Sequence, residues 1–218
     1  MRRHRRTGLF ALALLSALMA ALAHESRASA GQSWEVCARA VAQAEALRPG
    51  LPTHLLSAVA KVESGRWQRE TGARFAWPWT VNAGGEGQFL PSKEAAIAEV
   101  RRLRAEGRRN IDVGCMQINL HFHGHAFDSL EEAFDPASNV AYAAELLLHL
   151  RGEAGSWTRA IGDYHSRTPR FSGPYRLRVF RAWREERRTA QAAEVEARRN
   201  QAAFARNLEG YLRDDKLL

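Results

Sequence analysis

In LLSAVAKVES, residues Leu55–Ser64, the side chains of Leu55, Leu56, Val59 and Val62, with small Ala58 and Ala60 between them, follow the i, i+3, i+4, i+7 spacing of a buried helix face. Glu63 follows directly on that face, and Gly65 two residues on is a natural helix stop. A carboxyl at the end of an apolar helix loses water, which raises its pKa toward neutrality. Such a group can act as a general acid. The plainer alternative is a solvated terminal residue, and what the rest of the chain brings to Glu63 decides between the two.

On either side of this stretch the pattern is mainly helical. Trp34–Leu47 reads as a first helix broken by Pro49-Gly50, and Pro52 falls in the first turn of the Glu63 helix, where a missing N–H is harmless. Phe75–Val81 is rich in strand formers, Asn82–Gly87 supplies a turn and Gln88–Leu90 a short return, so a small β-hairpin is expected, with Pro78 confining it to an edge. Helices are expected over Ser92–Glu106, over Val140–Leu150 behind an Asp135-Pro136 cap, over Trp157–Tyr164 and over Tyr175–Trp183. From Glu185 the chain mixes Ala, Arg and Glu with few large apolar residues, which predicts a helical or disordered tail, 185–218, with no core of its own.

Residues 1–30 open with Arg2, Arg3, Arg5 and Arg6, run apolar from Gly8 to Ala23 and end Ala28-Ser29-Ala30. This order predicts a secretory signal peptide cleaved after Ala30. The apolar run is short of the ~20 residues of a spanning helix, which weighs against an uncleaved anchor. With Arg27 and Glu25 the segment carries half of the formal charge of +8, so the remaining chain, 31–218, is only mildly basic. That suits an anionic wall or membrane surface, and export argues against nucleic acid. Cys37 and Cys115 are the two cysteines. In an oxidising compartment an even count favours a Cys37–Cys115 disulfide over two buried thiols, worth roughly 4 kcal/mol on chain-entropy grounds.

Two polar clusters accompany Glu63. In Asp112–Leu120, Gly114 lets the backbone approach a neighbour closely, and Gln117 and Asn119, two residues apart in an extended segment, would present amides on one side, suited to sugar hydroxyl and acetamido groups. An ordinary loop whose amides satisfy its own backbone fits equally well. In Asp163–Ser166 a phenol, an imidazole and a hydroxyl lie side by side at a helix end.

Taken in order, Glu63-Ser64, then Gly114-Cys115-Met116-Gln117-Ile118-Asn119, then Tyr164-His165-Ser166 resemble the family 1 lytic transglycosylases of the soluble lytic transglycosylase domain type. The resemblance covers about Leu51–Trp183, and Asp135-Pro136 with Asn139 fits the helix that family places between its second and third motifs. It implies a mainly α, α+β lysozyme-like fold: a transglycosylase domain over 31–184 with a small β-hairpin and a helical C-terminal tail. It implies a periplasmic enzyme that cuts the β-1,4 bond between N-acetylmuramic acid and N-acetylglucosamine in peptidoglycan without water, leaving 1,6-anhydro ends. By the same resemblance Glu63 is the catalytic acid/base, Ser64 orients it or the sugar, Met116 lines the groove, Gln117 and Asn119 bind glycan, and Tyr164, with His165 beside it, lies near the scissile sugar. Cys115 stands where an aliphatic residue is usual and His165 where Asn is common. No cofactor or metal is expected.

A hydrolytic glycosidase ordinarily needs a second carboxylate. Asp112, Asp163 and Glu86 are candidates, so a hydrolytic lysozyme stays open as an alternative. So does a non-catalytic peptidoglycan-binding protein whose tail docks onto a secretion, pilus or flagellar assembly; a monomer is expected. Trp77 and Trp79 flank Pro78 and either stack on sugar or pack in the core. His121, His123 and His125 alternate, but without acidic or cysteine partners in metal-site spacing they read as a loop.

Overall fold

Apolar side chains separate into two cores, one enclosed by helices and one beneath a small sheet, and a cleft runs between them. The computed structural model describes residues 34–214; the predicted export segment lies outside them. The first core is built by α1 (34–47), α2 (Leu55–Ser64), α5 (Pro136–Ala154), α6 (Trp157–His165) and the start of α7 (Pro169–Asp214). Leu55, Leu56, Ala58, Val59 and Ala60 of α2 are all buried there, as the apolar spacing requires.

The second core lies under a four-stranded antiparallel sheet ordered β4-β3-β5-β6, from β3 (Thr80–Ala83), β4 (Glu86–Phe89), β5 (Asp112–Val113) and β6 (Ile118–Asn119). The helix α3 (Lys93–Ala105) covers it with Ala96, Ile97, Val100 and Leu103, and the short α4 (Leu130–Ala133) closes it. Gly84 and Gly85, both at positive φ (74° and 92°), form the two-residue loop joining β3 to β4. A separate two-stranded sheet pairs β1 (Gly65–Gln68) with β2 (Ala73–Ala76).

Several expectations need correcting. Phe75–Val81 is not one strand: it breaks at Trp77–Trp79, and its halves join different sheets. Pro78 has no N–H for a ladder, and the Trp77 N–H turns to the Ser64 carbonyl at 2.9 Å. Strand β1, unforeseen, has the unpatterned sequence GRWQ. Pro52 precedes α2 rather than opening it, since its carbonyl accepts from the Leu55 N–H at 3.1 Å in a turn that leaves His54 at φ 66°. Gly65 ends α2 by going straight into extended backbone, at φ −65° and ψ 108°, and a Cβ there would lie 2.1 Å from the Lys61 carbonyl oxygen. Trp77 is a core residue: its ring is buried against Trp34 and its indole N–H donates to the Leu90 carbonyl at 2.7 Å.

The expected helices are present, several of them longer. Asp135 caps α5 by accepting from the Ser138 N–H, with Pro136 next in line. Tyr175–Trp183 is the opening part of α7, which continues through Glu185 without a break to Asp214. Tyr175 and Val179 are buried under it, whereas Phe204, Leu208 and Tyr211 are exposed. No helix among the described residues is long and apolar enough to cross a membrane.

Candidate active site

The cleft has a volume of about 590 Å³. Its helical wall presents Glu63, Leu146, Asp163, Tyr164 and His165, and its sheet wall Asn82, Asp112, Gln117, Asn119, Phe122 and His123.

Glu63 stands one residue from the end of α2, its carboxyl surrounded by protein yet part of the cleft surface. Burial pushes its pKa from 4.5 up to about 8; the Tyr175 hydrogen bond and the Arg178 charge pull it down, and the Asp112 charge adds to the rise. The Tyr175 hydroxyl donates to Glu63 Oε1 at 2.5 Å. At neutral pH the carboxyl therefore holds its proton, with one oxygen fixed by the phenol. Burial, first of all, raises the Tyr175 and Tyr164 phenols well above their ordinary range, so both stay neutral donors.

Tyr175 escaped the sequence reading, which used it only as the start of a helix. A signal was available: Tyr175, Val179, Ala182 and Trp183 form a stripe at i, i+4, i+7, i+8, and a phenol on a buried stripe needs a polar partner. The His165 ring stacks on Tyr175, with centroids 4.7 Å apart and planes 9° apart, covering it from the cleft side.

The loop Val113–Asn119 is held from several directions. Gly114 adopts φ 84°, and a Cβ there would lie 2.4 Å from Asn139 Nδ2. Buried Asn139 donates to the carbonyls of Val113 and Ala133 at 3.1 and 3.0 Å, while its oxygen accepts from the Met116 N–H at 2.9 Å. Cys115 is bonded to Cys37, which ties the loop to α1. The Ser64 hydroxyl donates to the Cys115 carbonyl at 2.6 Å, and the Tyr164 hydroxyl to the Met116 carbonyl at 2.9 Å.

These contacts place several expected site residues differently. Ser64 is buried and bonds the end of α2 to the loop, so it cannot reach a sugar. Met116 is fully buried in the helical core and does not line the cleft; its peptide groups, not its thioether, serve the site. Gln117 and Asn119 do line the cleft but are not neighbours on one face of a strand, because Gln117 has φ 49° and occupies the turn before β6. Gln117 Nε2 donates to the Thr80 and Gly114 carbonyls at 3.1 and 3.0 Å, which turns its oxygen away from them. Asn119 Nδ2 donates to Asn110 Oδ1 at 2.5 Å and Asp112 Oδ1 at 2.6 Å, and Asn119 Oδ1 accepts from the His121 and Phe122 N–H groups. All four hydrogen-bonding positions of that amide are thus used inside the protein.

Of the other carboxylates, Asp112 belongs to the sheet wall, and burial raises its pKa against the lowering effect of Asn119. Asp163 is paired with Arg159 at 3.6 Å. His123 shares a 2.9 Å hydrogen bond with the Tyr142 hydroxyl. Among the described residues no three His, Cys, Asp or Glu side chains converge in a way that would hold a metal ion. Chemically, the cleft offers one proton donor at neutral pH on its helical wall, facing hydrogen-bond acceptors fixed by amides on its sheet wall.

Residues 40–171 match the family model described as the Transglycosylase SLT domain. Comparison with curated proteins and with solved structures found no significant match.

Proposed function

Because the chain belongs to the transglycosylase SLT domain family, whose members are lysozyme-like and act on peptidoglycan, we propose that it is an exported lytic transglycosylase that cuts the MurNAc-β-1,4-GlcNAc bond without water. The observation that carries this reading is Glu63, an enclosed carboxyl held protonated near neutrality by burial and fixed by Tyr175 at the floor of a cleft. Glu63 gives its proton to the glycosidic oxygen as the bond to the muramoyl C1 breaks. The carboxylate it becomes takes the proton of the muramoyl C6 hydroxyl as O6 closes on C1. The product is a 1,6-anhydro ring, and Glu63 ends as it began. Burial favours the neutral form at the start, and the Tyr175 hydroxyl stabilises the anion formed midway.

A hydrolytic lysozyme is the second reading, because Asp112 puts another carboxylate in the cleft, where a hydrolase needs one. Mass spectrometry of fragments released from purified peptidoglycan by Gly31–Leu218 separates the two. Anhydromuramic ends, resistant to borohydride, are expected. Reducible muramic ends would replace this reading with hydrolysis.

A further inference from the structure

Asp112 is the polar group on the sheet wall that the reaction above leaves without a task. Its Oδ1 is fixed by the Asn119 amide at 2.6 Å, and Asn119 is itself immobilised by Asn110 and by the His121 and Phe122 N–H groups. Its Oδ2 has no hydrogen-bond donor among the described residues. No buried side-chain oxygen there is left unsatisfied, so Oδ2 is at the surface, on a residue that lines the cleft. Asp112 and Glu63 line the same cleft, one on each wall. The site therefore sets a proton donor on one wall and an anchored carboxyl oxygen on the other.

A muramoyl residue offers two donors that come close to C1: the C6 hydroxyl, whose proton Glu63 takes in the reaction above, and the N–H of the 2-acetamido group, which is left for another acceptor. Resting on the transglycosylase reading, we propose that Asp112 Oδ2 accepts a hydrogen bond from this N–H and turns the acetamido carbonyl oxygen onto C1. In the first step the C1–O4 bond breaks, the Glu63 proton goes to O4, and the acetamido oxygen bonds to C1, giving a positively charged oxazolinium ring. In the second step O6 bonds to C1, the acetamido oxygen leaves C1, and the O6 proton goes to Glu63. Asp112 gains or loses no proton in either step. Its hydrogen bond strengthens as the N–H becomes cationic, so the interaction favours the transition state over bound substrate.

The same geometry makes the test sharp. In Asp112→Asn the Asn119 amide still donates to Oδ1, which turns an NH2 group into the cleft and replaces the acceptor with a donor facing a donor. The measurements are kcat and KM on purified peptidoglycan, and binding of a GlcNAc-derived thiazoline, a stable mimic of the oxazolinium ring. The expected result is a fall in kcat of about 100-fold with KM within about 3-fold, and thiazoline binding at least about 10-fold weaker. The thermal midpoint should be little changed. Asp112→Ala, which removes the acceptor without adding a donor, should show the same loss and serves if the Asn variant does not fold. Retention of more than a third of kcat, or of thiazoline affinity, in either folded variant would overturn the assignment while wild-type anhydro ends kept the transglycosylase reading intact. Incorporation of oxygen from labelled water into wild-type product ends would instead show hydrolysis and remove both.

Discussion

The two walls of the cleft are built by opposite means. On the helical wall the important groups are ionisable and surrounded by apolar neighbours: Glu63, Tyr164 and Tyr175 are all shifted chiefly by burial. On the sheet wall they are amides and one carboxylate: Gln117 and Asn119 each make two or more hydrogen bonds that fix the backbone or a neighbouring side chain, and buried Asn139 of α5 braces the loop from behind. The contrast separates two requirements of the glycosidic cleavage proposed above. Making a proton available at neutral pH requires loss of water, which helices with small residues provide. Holding a substrate group in one orientation requires acceptors and donors that cannot swing, which short strands braced by amides provide.

The largest effect that would sharpen this contrast is at the helical wall. Glu63→Gln should lower cleavage at least about 1000-fold while leaving the fold intact, measured as soluble fragments released from peptidoglycan. Substantial residual activity would remove the helical wall from the chemistry. Next in size is the connection between the walls. Cys37→Ser combined with Cys115→Ser opens a cross-link spanning 78 residues and should lower the unfolding free energy by about 4 kcal/mol in urea denaturation. Tyr175→Phe keeps the ring under His165 but removes the hydrogen bond that lowers the Glu63 pKa. It should reduce kcat by about 10-fold and move the alkaline limb of kcat/KM upward, seen in a pH series. A downward shift would mean that the phenol is not the partner of Glu63.

A separate effect is on the pH dependence of stability. The Glu63 carboxyl holds its proton more tightly folded than unfolded, so its contribution is full below pH 4.5 and is lost as pH rises through about 8. Glu63→Gln should therefore raise the thermal midpoint by about 10 °C at pH 9 and change it little at pH 4. Equal shifts at both pH values would show that desolvation is not what perturbs this group.

How much of this was legible in the sequence follows the same division. The helical wall was readable, Tyr175 apart, because its signals are local: the apolar spacing around Glu63 and the Asp135-Pro136 cap each lie within a few turns. The sheet wall was not, because its geometry depends on pairings between distant short segments. Residues 112–120 read as one extended stretch, yet a left-handed Gln117 folds them into β5 and β6, and β5 finds its partner in β3 thirty residues back by a ladder no local pattern encodes. Which atoms Asn119 and Gln117 bond also depends on that fold. Met116, in a motif that resemblance assigns to the groove, turns inward because the loop presents its peptide groups instead.

The central claim is that Glu63 is protonated at neutral pH because the helical wall excludes water. Carbon-13 NMR of the protein labelled at glutamate carboxyls tests it directly, with the Glu63 signal assigned by its absence in Glu63→Gln. A titration midpoint near about 8 is predicted. A midpoint near the ordinary 4.5 would contradict the account, since Glu63 would then be ionised at neutral pH with no proton to give.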